Sequence, residues 1–416
     1  MTRRTPITEF GAKPDAQTLN TAAIQKAIDH LAGAGGGCVV IPAGIFLSGA
    51  IFLKPNVQLH VEKDAVLKGS TNLADYPISP TRIEGHTEPW VPALVNASKV
   101  DHLRISGEGT LDGSGKPFWE AFWSRIHADP KTTNLGVPRP RLLFIQDSHD
   151  VQVSGIRFKD SGFWNFHLYR CRDVLIEGIH VFAPAESPST DGLDIDSSQN
   201  VTVRRCHFSV DDDCVAIKGS KGPFAMEDKD SPPVENIRIE DCLFDLGHGV
   251  LTVGSEATVV RNVTLERCKV AGPGTNRNVL VRLKLRPDTP QLYENIRFND
   301  ITLDGHGSLF SIEPWQQYFD LKGQAPPKRA VRNLSISNVH GTFGKFGIIH
   351  GNDGDVIDQI TLENIDVKLT NAPPADSAFL RFSPHAAADS VYPRFVGITN
   401  LAVRNVRING EAYTPS

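Results

Sequence analysis

A short motif recurs through most of this 416-residue chain and constrains its fold more than any other feature. Each copy begins with Asn, Asp or Gln and continues as apolar–x–apolar–x–x–apolar, with Ile, Val or Cys at the last position. Alternating apolar residues predict short strands with one buried face, and repetition at this period predicts a solenoid. The copies begin at Asp150, Asp173, Asn200, Asn236, Asn262, Asn295, Asn333, Gln359 and Asn400, with weaker earlier copies at Asn56 and His102.

Units this short cannot bury their own apolar faces, so they must stack on one another. Short β-branched strands, variable insertions and the absence of a helical period after about residue 35 favour an all-β fold, a single-stranded parallel β-helix of about ten coils. Stacked strands lie about 4.8 Å apart, so equivalent residues form ladders. The recurring Asn fits an internal amide ladder at a turn.

We predict a single β-helix domain over residues 1–416, with an N-terminal strand and helix at about 7–35 and coils at about 36–410. The helix starts after Asn20, which fits an N-cap, and ends at a glycine run. Its apolar stripe consists of Ile24, Ile28 and Leu31. A helix here would cover the open end of the solenoid, where core and strand edges are exposed.

The overall charge restricts the ligands to be expected. The net charge is −5 and the isoelectric point is about 6.3, which argues against nucleic-acid binding. A polyanion would need a local basic cleft. No apolar run approaches the roughly 18 residues of a membrane helix, and no signal peptide is visible at the N-terminus. The localisation is therefore unknown: secreted or periplasmic if a signal was removed, and otherwise cytoplasmic.

The six cysteines are too sparse for a disulfide scaffold, and without a CxxC pair a metal site is not expected. Cys206, Cys242 and Cys268 occupy the last apolar position of the motif, which predicts small core residues. Three glycosylation sequons begin at the motif residues Asn200, Asn262 and Asn333. We interpret these asparagines as structural.

Four scattered segments carry residues suited to acid–base chemistry. They are Ser189-Thr190-Asp191, Asp211-Asp212-Asp213-Cys214, Gly247-His248-Gly249 and Arg282-Leu283-Lys284. Aligning the strands by their apolar positions matches Leu193 and Ile195 with Val215 and Ile217, then with Leu251 and Val253, then with Val281 and Leu283.

This register predicts that the four segments meet at one edge of the solenoid. Asp191 lies over Asp213, while Thr190, Asp212 and His248 share the next column. Arg282 and Lys284 are two residues apart and point outward on one face.

The predicted edge suits glycoside hydrolysis. One carboxylic acid protonates the leaving oxygen while another carboxylate activates water, and close packing raises the pKa of at least one of them. Arg282 and Lys284 would bind a sugar carboxylate. Alternatives are a solvated acidic turn, a Ca²⁺ site in the Asp run and solvent-facing cations. The convergence of all four segments favours the acid–base site.

The segments closely resemble the motifs of the polygalacturonases, family 28 of the glycoside hydrolases, which read Asn-Thr-Asp, Asp-Asp, Gly-His-Gly and Arg-Ile-Lys in this order. The stretches 10–29 and 162–171 also look like parts of that family, and the resemblance covers roughly residues 7–410. It implies a right-handed parallel β-helix that hydrolyses α-1,4-galacturonosyl linkages with inversion, without a cofactor and without a metal.

The resemblance also implies roles for individual residues. Asp212 would be the general acid, and Asp191 and Asp213 would position and activate the attacking water. His248 would tune the acid or bind substrate. Arg282 and Lys284 would grip a galacturonate at the leaving-group side.

Three departures from the family motifs matter. Ser189 replaces Asn, which alters a hydrogen bond to substrate, and Leu283 replaces Ile, which is a mild core change. An insertion at 221–233 follows the Asp-Asp strand. Insertions of this kind wall one end of the cleft in exo-acting members, so it favours exo-action.

Six further residues are candidates for sugar contacts, with packing in the core or in a loop as the alternative for each. His167 is predicted to face outward beside inward Phe166 and Leu168. Lys218 and Glu256 fit either a sugar site or a surface ion pair. The candidates are His167, Trp164, Lys218, Glu256, Trp315 and Tyr318.

The expected function is hydrolysis of α-linked galacturonate in an acidic plant cell-wall polysaccharide or its oligomers, by a monomer that binds neither nucleic acid nor membrane. A rhamnogalacturonan hydrolase of the same family is the nearest alternative. A Ca²⁺-dependent lyase on the same scaffold and a non-catalytic carbohydrate-binding solenoid are alternatives of other classes.

Overall fold

The computed structural model describes residues 3–272, 278–370 and 392–415, which contain two α-helices and 35 β-strands. The helices are α1 Thr21–Gly33 and α2 Lys116–Ala128. The strands are β1 Arg4–Pro6, β2 Asp15–Leu19, β3 Gly37–Ile41, β4 Gly44–Ser48, β5 Ile51–Leu53, β6 Val57–Val61, β7 Ala65–Gly69, β8 Ser79–Ile83, β9 His86–Trp90, β10 Val95–Ser98, β11 Arg104–Gly107, β12 Thr110–Asp112, β13 Leu143–Gln146, β14 His149–Ser154, β15 Arg157–Lys159, β16 Phe166–Tyr169, β17 Arg172–Glu177, β18 His180–Phe182, β19 Leu193–Asp196, β20 Gln199–Arg204, β21 His207–Ser209, β22 Val215–Lys218, β23 Val234–Glu240, β24 Leu243–Phe244, β25 Gly249–Val253, β26 Val259–Ala271, β27 Val279–Leu285, β28 Gln291–Asp304, β29 Ser308–Pro314, β30 Arg329–Phe343, β31 Lys345–His350, β32 Val356–Leu369, β33 Arg394–Val396, β34 Ile398–Ile408 and β35 Glu411–Ala412.

Most strands pair in parallel in two long sheets, while β8 and β9 form a separate two-stranded sheet and β35 pairs antiparallel with β34. The predicted all-β parallel β-helix is confirmed. The chain forms two compact units. Unit 1 comprises Met1–Ile83, Thr87–Asp194 and Val203–Asp212, and unit 2 comprises Glu84–His86, Ile195–Thr202 and Asp213–Ser416. The prediction of a single domain over residues 1–416 stays a prediction.

In unit 1 the buried residues of the motif stack into a continuous ladder. Parallel pairing places Val39 beside Leu59, Leu59 beside Ile105, Ile105 beside Val153 and Val153 beside Ile176. All five side chains are fully buried. Each contributes about 1.5–3 kcal/mol from burial of its apolar surface. Stacking therefore supplies the core that a single repeat lacks.

Unit 2 repeats this arrangement with longer strands. Ile239, Leu265, Phe298, Ile336 and Leu362 are successive register partners in β23, β26, β28, β30 and β32, and all are buried. A second sheet of the unit carries its own ladder, in which Ile217, Val253, Leu283, Ile312 and Ile349 follow one another. The predicted register of β22, β25 and β27 is thereby confirmed.

The motif asparagines form the predicted amide ladder, but it is exposed rather than internal. Each side-chain amide donates to the side-chain oxygen of the previous asparagine in the series over 2.8–3.1 Å. The series runs from Asn200 through Asn236, Asn262 and Asn295 to Asn333. All five residues have φ between 54° and 59°. Asn tolerates this left-handed backbone better than most residues. Asn therefore suits this position of the motif for two reasons: it tolerates the left-handed backbone, and its side chain forms the hydrogen-bonded ladder.

Cysteine packing follows the motif. Cys268 in β26 lies beside Ile301 in β28, which lies beside Val339 in β30. All six cysteines lie in the described ranges and are buried. The interpretation of Cys206, Cys242 and Cys268 as small core residues is confirmed.

Helix α1 forms where the sequence predicts it, with Ile24, Ile28 and Leu31 buried. Asn20 is the N-cap residue, as predicted, but its side chain makes no capping hydrogen bond. The Asn20 side chain instead accepts from the backbone N–H of Lys13 at 2.7 Å and donates to the backbone of Thr18 at 2.7 Å. It fixes the preceding turn rather than the helix end.

Helix α2 contradicts the expectation that no helix follows residue 35. It lies in the insertion between β12 and β13 and buries Phe118, Trp119 and Phe122 on one face. The Trp119 indole donates to the backbone oxygen of Ser161 at 2.9 Å. Neither helix in the described part of the chain is long and apolar enough to cross a membrane.

Candidate active site

In unit 1, Thr190 links the two acidic segments. Its hydroxyl donates to the carbonyl of Ser187 at 2.8 Å and accepts from the backbone N–H of Asp211 at 3.4 Å. The Asn165 side chain donates to the carbonyls of Thr190 and Asp191 at 3.1 Å each. These bonds fix the backbone on both sides of the acids.

The side chains of Asp191 and Asp212 approach each other closely. Asp191 is buried and Asp212 is partly exposed. They present carboxyl oxygens within 4.8 Å of each other. This spacing fits two carboxyl groups that hold one water between them, and it also fits a shared cation, which is the Ca²⁺ alternative.

Ser189 occupies a left-handed backbone conformation that suits Asn, the residue at this position of the motif that the segment resembles. Its φ is 58°, in the left-handed region that Asn adopts more readily than Ser. The Ser189 hydroxyl accepts from the guanidinium of Arg139 at 3.2 Å. This bond anchors the strained residue.

In unit 2, Asp213 is fully buried and held by donors from two strands. The Thr252 hydroxyl of β25 donates to Oδ1 at 2.7 Å, and the Lys284 ammonium of β27 donates to Oδ2 at 2.8 Å. Arg282 Nη1 lies 3.6 Å from Oδ1. The acidic and cationic segments thus meet at one carboxylate. The predicted columns of Asp191 with Asp213 and of Asp212 with His248 join residues of different units and stay predictions.

Trp315 packs beside the two cations. Its ring centroid lies 5.1 Å from the Arg282 guanidinium and 4.9 Å from the Lys284 ammonium. The indole donates to the side-chain oxygen of Gln317 at 3.1 Å, and Trp315 is 5% exposed. The ring therefore orients the cations, and the predicted stacking of Trp315 on a sugar stays a prediction.

The glycines of the Gly-His-Gly segment are required by close packing. A Cβ at Gly249 would lie 2.1 Å from Thr252 Oγ1 and 2.9 Å from Asp213 Oδ1, and one at Gly247 would lie 2.6 Å from Cys214 Sγ. His248 between them is partly exposed, and its carbonyl accepts from the Val279 N–H at 3.1 Å. The two glycines thus let the start of β25 pack closely against Asp213 and Cys214.

Gly249→Ala is expected to displace Asp213 or Thr252. Overpacking of this kind lowers the free energy of unfolding by about 1–3 kcal/mol. Because it also displaces groups of the proposed active site, we expect kcat to fall at least about 10-fold. Gly305→Ala is the matched control, because a Cβ there meets nothing within 4 Å. Equal activity of the two variants in a reducing-sugar assay would contradict this packing argument.

Lys218 and Glu256 form a buried ion pair rather than a surface one. Lys218 Nζ lies 3.9 Å from Glu256, and Lys221 Nζ lies 3.7 Å from Glu256 and 3.6 Å from Glu84. Burial alone would raise the pKa of Glu256, but Lys221, Lys218 and Arg286 outweigh it and hold that pKa well below its usual range. Contact of Lys218 and Glu256 with a sugar stays a prediction.

Glu256→Gln is expected to lower the free energy of unfolding by about 3 kcal/mol at pH 7, because it leaves buried cations without their carboxylate. A depressed pKa gives stability that is complete above about pH 4.5 and is lost as pH falls toward the folded-state pKa. The difference in the free energy of unfolding between wild type and variant, measured by urea unfolding, should therefore shrink below about pH 4.5.

Glu266→Gln is the control for this variant, because Glu266 pairs with Arg238 and Arg267 at the surface. Surface pairs contribute about 1 kcal/mol or less. Equal losses in the two variants would contradict a special role for the buried network.

His167 lies beside buried Phe166 and Leu168 on β16 but is itself fully buried. Its Nδ1 lies 2.7 Å from the Arg141 guanidinium, and the rings of Phe144 and Trp164 lie 5.0 Å away. Because a guanidinium only donates, Nδ1 accepts and the ring proton belongs on Nε2. Contact of His167 with substrate stays a prediction.

Tyr318, one of the predicted sugar contacts, is 42% exposed, and its carbonyl accepts from Arg286 at 3.3 Å. Its contact with a sugar stays a prediction. Thr252, in contrast, was not among the sequence-based candidates. The register pairs it with Arg282, so the alignment of β25 with β27 contained the signal.

Comparison with known proteins identifies relatives. A family model described as glycosyl hydrolases family 28 matches residues 37–378. A probable polygalacturonase of Vitis vinifera is 34% identical over 221 residues, which cover 51% of this chain and 43% of that protein. An exopolygalacturonase of Zea mays is 28% identical over 351 residues, 81% of this chain and 76% of that protein. An endo-polygalacturonase of Pectobacterium carotovorum subsp. carotovorum is 28% identical over 374 residues, 86% of each.

A solved structure has the same fold. It is the hyperthermoactive exopolygalacturonase from Thermotoga maritima, which superposes with a TM-score of 0.71 at 21% identity. The superposition covers 99% of this chain and 93% of that one.

Proposed function

Because this chain belongs to family 28 of the glycosyl hydrolases, we propose that it hydrolyses α-1,4-galacturonosyl linkages of polygalacturonate, pectin or their oligomers. The observation that carries the proposal is the contact of Lys284 Nζ with Asp213 Oδ2 at 2.8 Å, between residues 71 positions apart. A proposed reacting carboxylate and a cation suited to an acidic sugar are thus in direct contact. The relatives named as polygalacturonases support the same substrate class.

The environments of the acids support different roles. Asp213 accepts hydrogen bonds from Thr252 and Lys284, which favour its ionised form and suit a base for water. Asp212 is partly exposed, so a leaving oxygen can reach it. We assign Asp212 as the general acid, Asp191 and Asp213 as the residues that orient and activate water, and His248 as a tuning or binding residue.

Arg282 and Lys284 are assigned to the carboxylate of a bound galacturonate. The guanidinium can bind a carboxylate through two parallel hydrogen bonds. Trp315 behind both side chains limits their motion, so less conformational entropy is lost on binding. A neutral sugar at this position would lack the ion pair.

Hydrolysis with inversion is part of the proposal. Inverting glycosidases commonly separate their carboxyl groups by about 6.5–9.5 Å and retaining ones by about 5–5.5 Å. The Asp191 and Asp212 oxygens are within 4.8 Å, and inversion is proposed from the family rather than from this spacing. ¹H NMR of the first product should show the β anomer, and an α anomer would contradict inversion.

The insertion at 221–233 supports exo-action. Lys221 is tied to Glu84 and Glu256, and the Gly222 N–H donates to Thr289 Oγ1 at 2.9 Å. Because these contacts anchor the insertion, it suits the role of a fixed barrier at one end of the substrate cleft. Chromatography of products should give monomer from polygalacturonate, whereas a ladder of oligomers would indicate endo-action. Faster cleavage of rhamnogalacturonan would favour the alternative within the family.

A further inference from the structure

Thr252 on β25 contacts the Asp213 carboxylate. It is fully buried, and its register partners are Ala216 in β22 and Arg282 in β27. Its hydroxyl donates to Asp213 Oδ1 at 2.7 Å. An ionised carboxylate can only accept, so the direction of this bond is fixed.

The two oxygens of Asp213 have separate donors. Thr252 holds Oδ1 while Lys284 holds Oδ2 at 2.8 Å, which fixes the plane of the carboxylate. Gly249 lies against both the hydroxyl and the carboxylate, since a Cβ there would be 2.1 Å from Thr252 Oγ1 and 2.9 Å from Asp213 Oδ1. The strand backbone therefore leaves the hydroxyl little freedom to move away from the acid.

We propose that Thr252 is a positioning residue that keeps Asp213 ionised and aimed at the attacking water; this inference rests on the proposed hydrolase function. The charged groups that face Asp213 from β27 are Arg282 and Lys284. Its neighbour in the chain, Asp212, is a further acid. The Thr252 hydroxyl acts against the effect of this acid, because hydrogen bonds to a carboxylate favour its charged form.

The test compares Thr252→Val, which removes the hydroxyl and keeps the shape, with Thr252→Ser, which keeps the hydroxyl. kcat and KM on polygalacturonate are measured across pH, with thermal unfolding as the check on folding. We expect the valine variant to lose about 10- to 100-fold in kcat with KM within about twofold, because a hydrogen bond to a charged group is lost.

The pH profile separates positioning from simple packing. Loss of the donor raises the pKa of the base, so the acid limb of the kcat profile of the valine variant should move to higher pH by about one unit. The serine variant should keep the wild-type limb and lose less than about threefold in kcat. Thr252→Ala carries the same test if the valine variant does not fold.

Three outcomes are distinguishable. An unmoved acid limb in the valine or alanine variant, or equal impairment of the serine variant, would overturn the role of Thr252 alone. No release of reducing sugar by wild type would overturn the hydrolase function and this inference with it. A shifted limb that serine restores supports both.

Discussion

Replacing Asp212 with Asn is expected to lower kcat on polygalacturonate by about 1,000-fold while KM stays within about threefold. General acid catalysis contributes about 100- to 10,000-fold, and the amide cannot protonate the leaving oxygen. The substitution keeps the shape of the side chain, so substrate binding should persist. The measurement is the initial rate of reducing-end release together with binding of oligogalacturonate to the variant.

Asp211→Asn is the matched control, since it makes the same chemical change one residue earlier in the chain. The Asp211 backbone N–H bonds to Thr190, and that bond survives the substitution. We expect its kcat to remain within about threefold of wild type. Equal losses in the two variants would remove Asp212 from the role of acid.

Lys284→Ala is expected to lower kcat/KM on polygalacturonate by about 100-fold or more, through both parameters. Sequence alone predicts mainly weaker binding of the charged substrate. The structure adds an effect on kcat, because Lys284 Nζ also donates to Asp213 Oδ2 at 2.8 Å. Hydrogen bonds between charged groups are among the strongest in proteins.

The control for this variant is Lys269→Ala, which removes an exposed lysine of β26 that pairs with Asp304. Rates on polygalacturonate and on an uncharged glycoside separate the two effects of Lys284. The KM part of the loss should appear only with the charged substrate. Equal loss of kcat/KM on the uncharged glycoside would contradict the carboxylate-binding role.

The stacked architecture was predictable because the apolar pattern and the strand register carry the same information. Matching Val215 with Leu251 and Leu251 with Val281 required only the alternation of apolar residues, and the structure has these pairs. Arg282 and Lys284 then had to share a face. Local pattern and global fold agree here, which makes the register readable.

Features that depend on tertiary burial were harder to predict from the sequence. The helix α2 rests on Phe118, Trp119 and Phe122, and three aromatic residues in an insertion give only a weak helical period. The Lys218–Glu256 pair is joined through Lys221 to Glu84, which is remote in sequence. For Thr252 the strand register is the sequence signal, because threonine is common in strands for its shape alone and its residue type indicates no role.

Product identity tests the central claim most directly, namely that stacked strands assemble a galacturonate hydrolase from the four segments. ¹H NMR and ultraviolet absorbance would follow polygalacturonate incubated with wild type and with Asp212→Asn, each with and without a chelator. We predict saturated galacturonate with new reducing ends from wild type, unchanged by the chelator, and nothing comparable from the variant. An unsaturated, ultraviolet-absorbing product abolished by the chelator, or equal release by Asp212→Asn, would contradict it.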